Sequence, residues 1–371
     1  MADSVAASDA NEPPRKIIPP PLRSPSWFSS LPIEIVWKIL AHVPKRYYPT
    51  LSCVSKNFRY LVNSPEIHRI RSLLGKDSIF ICFIDETNRA QTRNWFTLRR
   101  VENHPTENQL VVSVDLVFPY DYEPNPSIIA AGPEIFFICG SFIPSSRLYI
   151  FDSRSGKLRQ GPSLKLHRSS NTVGFIGNKI YAIGGYIDGV IQVESFDLKM
   201  RTWEQAPVPE EQGSWFWAAS VSIDRKVCVL DVLKGIAVCY DTRDGSCESF
   251  ELPKDKWWDT GVCVKDNVLY VYYARFGLMW YDTKLMLWRV VYGLNDLKKV
   301  RSVAMAEYYG KMAFLWEESR DIRSETKEIW CRMIALNRSE VGIHGTAEAS
   351  KLMGSVPRGY KFHEHCLSLS D

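Results

Sequence analysis

An aromatic residue followed by aspartate recurs through the middle of this chain with a spacing of about 44 residues. The aspartates lie 45, 44 and 41 residues apart, at Asp152, Asp197, Asp241 and Asp282. The sixth residue after each is Leu158, Trp203, Cys247 and Trp288. A third register, with gaps of 45, 47, 42 and 43 residues, contains Phe136, Tyr181, Cys228, Tyr270 and Ala313. Three anchors that keep one period indicate an array of repeated structural units.

The segments around these anchors are rich in β-branched and aromatic residues and are bounded by Gly, Asn, Asp and Lys, which predicts strands. The clearest are residues 78–84, 134–139, 179–183, 226–230, 268–273 and 311–316. Each repeat then forms a small antiparallel sheet that buries its faces against its neighbours, and radial closure removes the exposed end faces. We therefore predict an all-β propeller.

The blade number follows from a missing strand and a spare one. The first unit, with strands expected at 78–84, 94–100 and 109–115, lacks a leading strand. The C-terminal run 365–369 has no unit of its own. We expect this last segment to complete the first sheet and close a ring of six blades.

Before the repeats, the apolar period becomes helical. In the first helix, Leu31, Ile35, Ile39 and Val43 recur every four residues, and Ile33, Val36, Trp37 and Leu40 widen the apolar arc. Pro44 ends it. A second helix is predicted from Leu51, Val54, Phe58 and Leu61, and a third from the cap Ser64 to Gly75. The sequence thus predicts a small all-α module of three short helices.

These patterns divide the chain into three parts. Residues 1–25 contain six prolines and little apolar content, which favours a disordered or extended lead-in. We expect the helical domain at 26–75 and the propeller at 76–371.

Charge and cysteine usage restrict the partners and the location. A formal charge of +4, without blocks of like charge, makes nucleic acid and anionic membranes poor partners. No stretch approaches 18 apolar residues, so no membrane span is expected. The nine cysteines include no Cys-x-x-Cys pair, and Cys82, Cys139, Cys228, Cys239 and Cys263 lie in apolar runs as expected free thiols. Free thiols indicate a reducing compartment, and the N-terminus does not resemble a signal peptide. The predicted location is therefore the cytoplasm or nucleus.

The repeats resemble kelch repeats. The match is clearest at 178–185, a strand that ends in Gly184-Gly185, followed by Phe196-Asp197 and Trp203. The helical segment resembles an F-box, in Leu31-Pro32-Ile33-Glu34-Ile35-Val36 and in 51–59. The order of the two motifs resembles the plant-type F-box/kelch-repeat family from Trp27 onward.

This resemblance implies a non-catalytic subunit of a cullin-based (SCF) ubiquitin ligase. The F-box would bind a Skp-type adaptor, and through it a cullin, while the propeller would hold a protein substrate. The adaptor-binding residues are then expected to be Leu31, Pro32, Ile35, Val36, Ile39, Leu40, Val43, Pro44, Leu51 and Val54. The alternative is that these residues form only the core of a three-helix domain. Two apolar stripes on the first helix, 31/35/39/43 and 33/36/40, suggest that one faces inward and one a partner.

On the propeller, the connections between blades are expected on one face. The residues 13 positions before Tyr181, Cys228 and Tyr270 are Arg168, Trp215 and Trp257, and Arg301 lies 12 positions before Ala313. We take these four as candidate substrate contacts, because Arg and Trp are frequent anchors of binding sites. The alternatives are inter-blade packing for the tryptophans and solvated surface for the arginines.

An enzymatic role is the competing interpretation. His363-x-His365 with Cys366 is the best candidate for metal ligands, but it is a single pair without a nearby carboxylate cluster. No phosphate loop and no Gly-x-Ser-x-Gly motif is present. We expect no catalytic site, metal or cofactor, and keep a propeller scaffold or metal-dependent enzyme as the alternative.

Overall fold

The computed structural model describes most of the chain from Ser30 to Leu369. The described residues are 30–43, 47–64, 66–67, 70, 78–87, 93–101, 104–112, 126–138, 144–153, 155–168, 171–184, 191–209, 219–231, 234–253, 261–297, 299–300, 302–319, 321 and 323–369. The predicted lead-in at 1–25 lies outside these residues.

Three helices with described bounds precede the strands: α1 Ile33–His42, α2 Tyr48–Val54 and α3 Lys56–Val62. The second predicted helix is divided in two because Ser55 adopts extended dihedrals, and its hydroxyl accepts the Phe58 N–H to cap α3. At the predicted third helix, Ser64 Oγ accepts the N–H of Ile67 at 3.4 Å, and Glu66, Ile67 and Ile70 are helical. Its predicted end at Gly75 lies outside the described residues.

Within the described residues, twenty-five strands form six antiparallel sheets. Blade 1 contains β1 Ser78–Asp85, β2 Arg93–Val101, β3 His104–Val112 and the C-terminal β25 Tyr360–Leu369. Blade 2 contains β4 Ser127–Ala131, β5 Glu134–Ile138, β6 Leu148–Asp152 and β7 Lys157–Gln160. Blade 3 contains β8 Asn171–Ile176, β9 Lys179–Gly184, β10 Val193–Asp197 and β11 Thr202–Gln205.

Blades 4 to 6 follow in chain order. Blade 4 contains β12 Ala219–Ile223, β13 Lys226–Asp231, β14 Ile236–Asp241 and β15 Cys247–Glu251. Blade 5 contains β16 Gly261–Lys265, β17 Val268–Tyr273, β18 Gly277–Asp282 and β19 Leu287–Val290. Blade 6 contains β20 Val303–Tyr308, β21 Lys311–Glu318, β22 Thr326–Arg338, β23 Ile343–Ala347 and an additional strand, β24 Lys351–Pro357. The predicted six-bladed architecture is confirmed.

The ring closes through strand pairing and packing. β25 pairs with β1, from Ser78 opposite Leu369 to Asp85 opposite Tyr360, and occupies the position of the missing strand. Six apolar clusters each lie between two successive blades, and one of them joins blade 6 to blade 1. Among the described residues, those of the helices belong to none of these clusters and form a separate small core.

The repeated aromatic-Asp step has a structural cause in the turn between the third and fourth strands. The aromatic residue lies opposite the sixth-residue anchor, as in Phe196 opposite Trp203 and Tyr281 opposite Trp288. The aspartate closes the turn, because Asp197 Oδ1 accepts the N–H groups of Lys199 and Met200. These hydrogen bonds to the ionised form lower the pKa of Asp197.

The tryptophan anchors also join consecutive blades. Trp203 Nε1 donates to the Pro162 carbonyl, just after the last strand of the preceding blade, and Trp288 Nε1 donates to the carbonyl of Glu251, the last residue of β15. Tyr240 makes the equivalent bond from its hydroxyl to the Pro207 carbonyl at 2.8 Å. Each anchor therefore combines aromatic burial with a hydrogen bond between blades.

The expectation of free thiols at Cys228 and Cys239 is wrong. The two residues lie opposite each other on β13 and β14 and form a disulfide. Their separation of 11 residues does not reveal this pairing, because the register depends on the length and shape of the turn between the strands. The buried cysteines Cys82 and Cys263 are free as expected, while Cys139 lies outside the described residues.

Glu317 ties blade 6 to the closing strand. Its Oε2 lies 2.5 Å from the ammonium of buried Lys327, and its Oε1 accepts the N–H of Phe362 on β25. We predict that Glu317→Gln lowers the free energy of unfolding by about 2 kcal/mol, because it leaves the ammonium buried without a counter-charge. Urea denaturation of the full chain measures this loss. Exposed Glu325, in the connection between β21 and β22, provides the control, and an equal effect of Glu325→Gln would contradict the assignment.

Candidate functional site

The helical module keeps several large apolar side chains in solvent after its own core is filled. We define the docking surface as the exposed residues Pro32, Ile33, Ile35, Ile39, Tyr47 and Val54. Ile35 and Ile39 lie one helical turn apart on α1 and are 41% and 40% exposed. Four members, Pro32, Ile35, Ile39 and Val54, belong to the predicted adaptor-binding set.

Two residues of the predicted set require a correction. Val36 and Leu40 are 4% and 2% exposed and pack in the module core with Ala41, Leu61 and Ile67. They occupy the inward face of α1, so they support the docking surface without forming part of it. Of the two predicted stripes, the 36/40 positions face inward and the 35/39 positions face outward, while Ile33 is also exposed.

The remaining predicted residues lie at the margin of this surface. Leu31, Val43 and Leu51 are half-buried and pack against the core, and Pro44 lies outside the described residues. The predicted set did not include Ile33, Tyr47 or Tyr60 of α3, which are also exposed. The available signal was an excess of apolar and aromatic residues over what so small a module can bury.

Hydrogen bonds hold α2 against the end of α1. The buried Tyr48 hydroxyl donates at 2.8 Å to the Leu40 carbonyl, which also accepts the Val43 N–H at the end of α1. Ser52 Oγ donates to the Tyr48 carbonyl, and Arg59 Nε donates to the Ser52 carbonyl. The exposed residues of α1 and α2 are therefore presented from a fixed helix arrangement.

The two ends of the propeller differ. We define the loop face as the end that carries the connections after the second strand of each blade and the linkers between blades. The opposite end, the turn face, carries short turns such as residues 177–178 and 266–267. Because β1 begins at the turn face, at Ser78, the chain enters the propeller from the end opposite the loop face.

The structure corrects the role predicted for Arg168. This side chain lies at the loop face, as expected, but it is 0% exposed and faces Glu194 with Nη2 to Oε2 at 2.9 Å. Its Nη1 also donates to the carbonyls of Gly184 and Gln192, the two residues that flank the connection between β9 and β10. Burial lowers the pKa of the guanidinium, and Glu194 opposes this shift. Arg168 therefore holds the base of this connection and is buried from solvent.

Trp215, Trp257 and Arg301, the other candidate substrate contacts, lie outside the described residues. One exposed aromatic residue that the sequence analysis missed occurs at the loop face, where Phe276 follows β17 in the short turn of blade 5. The Arg275 guanidinium lies 5.3 Å from the centre of its ring. The adjacent Arg-Phe pair was visible in the sequence, but its exposure was not.

No geometry for metal catalysis appears in the part of the chain that the structure describes. Within it, no three His, Cys, Asp or Glu side chains are grouped so that they would hold a metal ion. The side chains of His363 and His365 are outside this part. Among the described helices, none has the length and apolar character to cross a membrane.

A helical docking module joined to a six-bladed propeller defines a two-part binding protein. Comparison with known families matches residues 28–70 to the F-box domain and residues 95–353 to the description "FKB95, Kelch-repeats domain". One F-box/kelch-repeat protein of Arabidopsis thaliana is 59% identical over 372 residues, covering 98% of this chain and all of the relative. A second from the same plant is 54% identical with the same coverage, and a third is 42% identical over 92% of this chain. The chain belongs to the F-box/kelch-repeat family.

Proposed function

We propose that this protein is the substrate-recognition subunit of an SCF-type ubiquitin ligase. The observation that carries the proposal is the docking surface. Its apolar side chains are exposed to solvent, while the small core of the module is formed by other residues. An F-box is the segment that binds a Skp-type adaptor. An adaptor with a complementary apolar surface would cover Ile35 and Ile39. An interface of about 1,600 Å² in total is expected.

The propeller supplies the second half of this function. We propose that a protein target binds the loop face, which lies opposite the end where the chain enters from the F-box. In this arrangement the target is held away from the linker. The subunit itself performs no catalysis, and we place it in the cytoplasm or nucleus.

Complex formation with purified proteins tests the adaptor role. The full chain mixed with a Skp-type adaptor is expected to co-elute as a one-to-one complex in size-exclusion chromatography, and addition of the matching cullin is expected to give a ternary complex. A folded chain that elutes alone at micromolar concentrations would contradict the proposal.

The target is tested in cells. Affinity purification with a proteasome inhibitor compares the wild type with the variant Ile35→Asp, Ile39→Asp. Proteins lost from the variant are ligase components, and proteins retained by both are target candidates whose abundance should rise when the wild-type protein is removed. If the same cullin and adaptor co-purify with both, the docking assignment fails.

A further inference from the structure

The disulfide in blade 4 joins two strands that are already fully paired. Cys228 and Cys239 lie opposite each other within a register that runs from Lys226 opposite Asp241 to Asp231 opposite Ile236. The two residues are 1% and 2% exposed. The backbone hydrogen bonds form the hairpin, so the covalent bond adds a constraint beyond what strand pairing requires.

This bond faces the neighbouring blade. Leu230 and Ala237 pack against Leu269 and Val271 in the cluster between blades 4 and 5. Because side chains alternate along a strand, Cys228 points to the same side of the sheet as Leu230, and Cys239 to the same side as Ala237. Reduction separates two bonded sulfur atoms to van der Waals distance inside a close-packed interface, so the contact between the blades must repack.

The other buried cysteines are placed as unreactive thiols. Cys82, Cys263 and Cys331 are free, and burial raises the pKa of each thiol to about 12. They are protonated at neutral pH and are therefore poor partners for thiol–disulfide exchange. Among the described cysteines, Cys228 and Cys239 alone are joined in a disulfide.

We propose that Cys228 and Cys239 form a redox-sensitive lock on the interface between blades 4 and 5. In its formation the two thiols lose two protons and two electrons to hydrogen peroxide, which becomes two water molecules, or to a disulfide, which becomes two thiols. A dithiol reverses the reaction and is itself oxidised to a disulfide. Because both sulfur atoms are buried, exchange requires local opening of this interface, and the oxidised form persists while the propeller stays closed.

Peptide mapping of the full chain tests the bond directly. Trypsin cleavage after Lys226, Lys234 and Arg243 places the two cysteines in separate peptides, 227–234 and 235–243, each with one cysteine. In protein treated with hydrogen peroxide and digested without reductant, these peptides are expected as one linked species, two hydrogen masses below their sum. Two separately alkylated peptides from the same sample would overturn the proposal.

Thermal unfolding tests the lock. The reductant tris(2-carboxyethyl)phosphine is expected to lower the Tm of the oxidised wild type by about 5 °C. The double variant Cys228→Ala, Cys239→Ala is expected to show no response to the reductant, and the control Cys247→Ala the full response. An equal decrease in the Tm of the double variant would overturn the proposal. So would an unchanged Tm in wild-type protein in which peptide mapping shows that the disulfide has been reduced.

Discussion

Replacing Ile35 and Ile39 with aspartate is expected to weaken binding of a Skp-type adaptor at least about a hundredfold. Both side chains are exposed on α1, so the substitutions leave the module core intact. In the complex, each would place a carboxylate where an apolar anchor is desolvated, and burial of an unpaired charge is strongly unfavourable. Isothermal titration calorimetry of the full chain with the purified adaptor measures the change in Kd.

The propeller offers a matched control. Leu285 and Met286, in the turn between β18 and β19, are also large exposed apolar residues. Their double replacement with aspartate adds the same charge to the chain and is expected to leave the Kd unchanged. An equal loss of binding in this control, or unchanged binding in the α1 variant, would show that the docking surface is misassigned.

The second large effect is expected at the buried ion pair of blade 3. Arg168→Met leaves the Glu194 carboxylate buried without its counter-charge, and Glu194→Leu removes the counter-charge of Arg168. Breaking a buried pair by removing one partner costs about 3–5 kcal/mol. Urea denaturation of the full chain measures each loss of unfolding free energy.

A double-mutant cycle separates the ion pair from other effects. Arg168→Met with Glu194→Leu is expected to be less destabilising than the sum of the single changes, because no lone charge remains. Recovery stays incomplete, since the Lys165 N–H loses the Glu194 carboxylate oxygen that accepts it. The exposed pair of Lys179 and Glu204 is the control, and Glu204→Gln is expected to cost less than about 0.5 kcal/mol. Additive losses at the buried pair would contradict this account.

Much of the propeller was predictable because its anchors act locally. The turn-closing Asp197 and the cross-strand partner of Phe196 lie within a few residues of each other, so a short motif records them. The strand predicted at residues 268–273 has the observed bounds, and the other clear strands differ by one or two residues. The division between α2 and α3 was missed because a single serine cap interrupts a continuous apolar period.

The candidate sites were less predictable, because exposure depends on packing between distant segments. Helical periodicity placed apolar residues on α1, but it did not show that Val36 and Leu40 turn toward α3 while Ile35 and Ile39 stay in solvent. Likewise, an arginine in a blade linker suggested a binding residue, and the distant Glu194 made it a structural one.

The repeat of about 44 residues, together with the spare strand at the C-terminus, determined the six-bladed ring, because each sheet must bury both faces and neither end can stay open. The order of the helices and repeats likewise determined the family. Only the tertiary structure decided which helical residues remain free to dock, that Arg168 is buried, and that Cys228 meets Cys239. These outcomes depend on strand register and on contacts between elements far apart in sequence, which no local pattern of residues records.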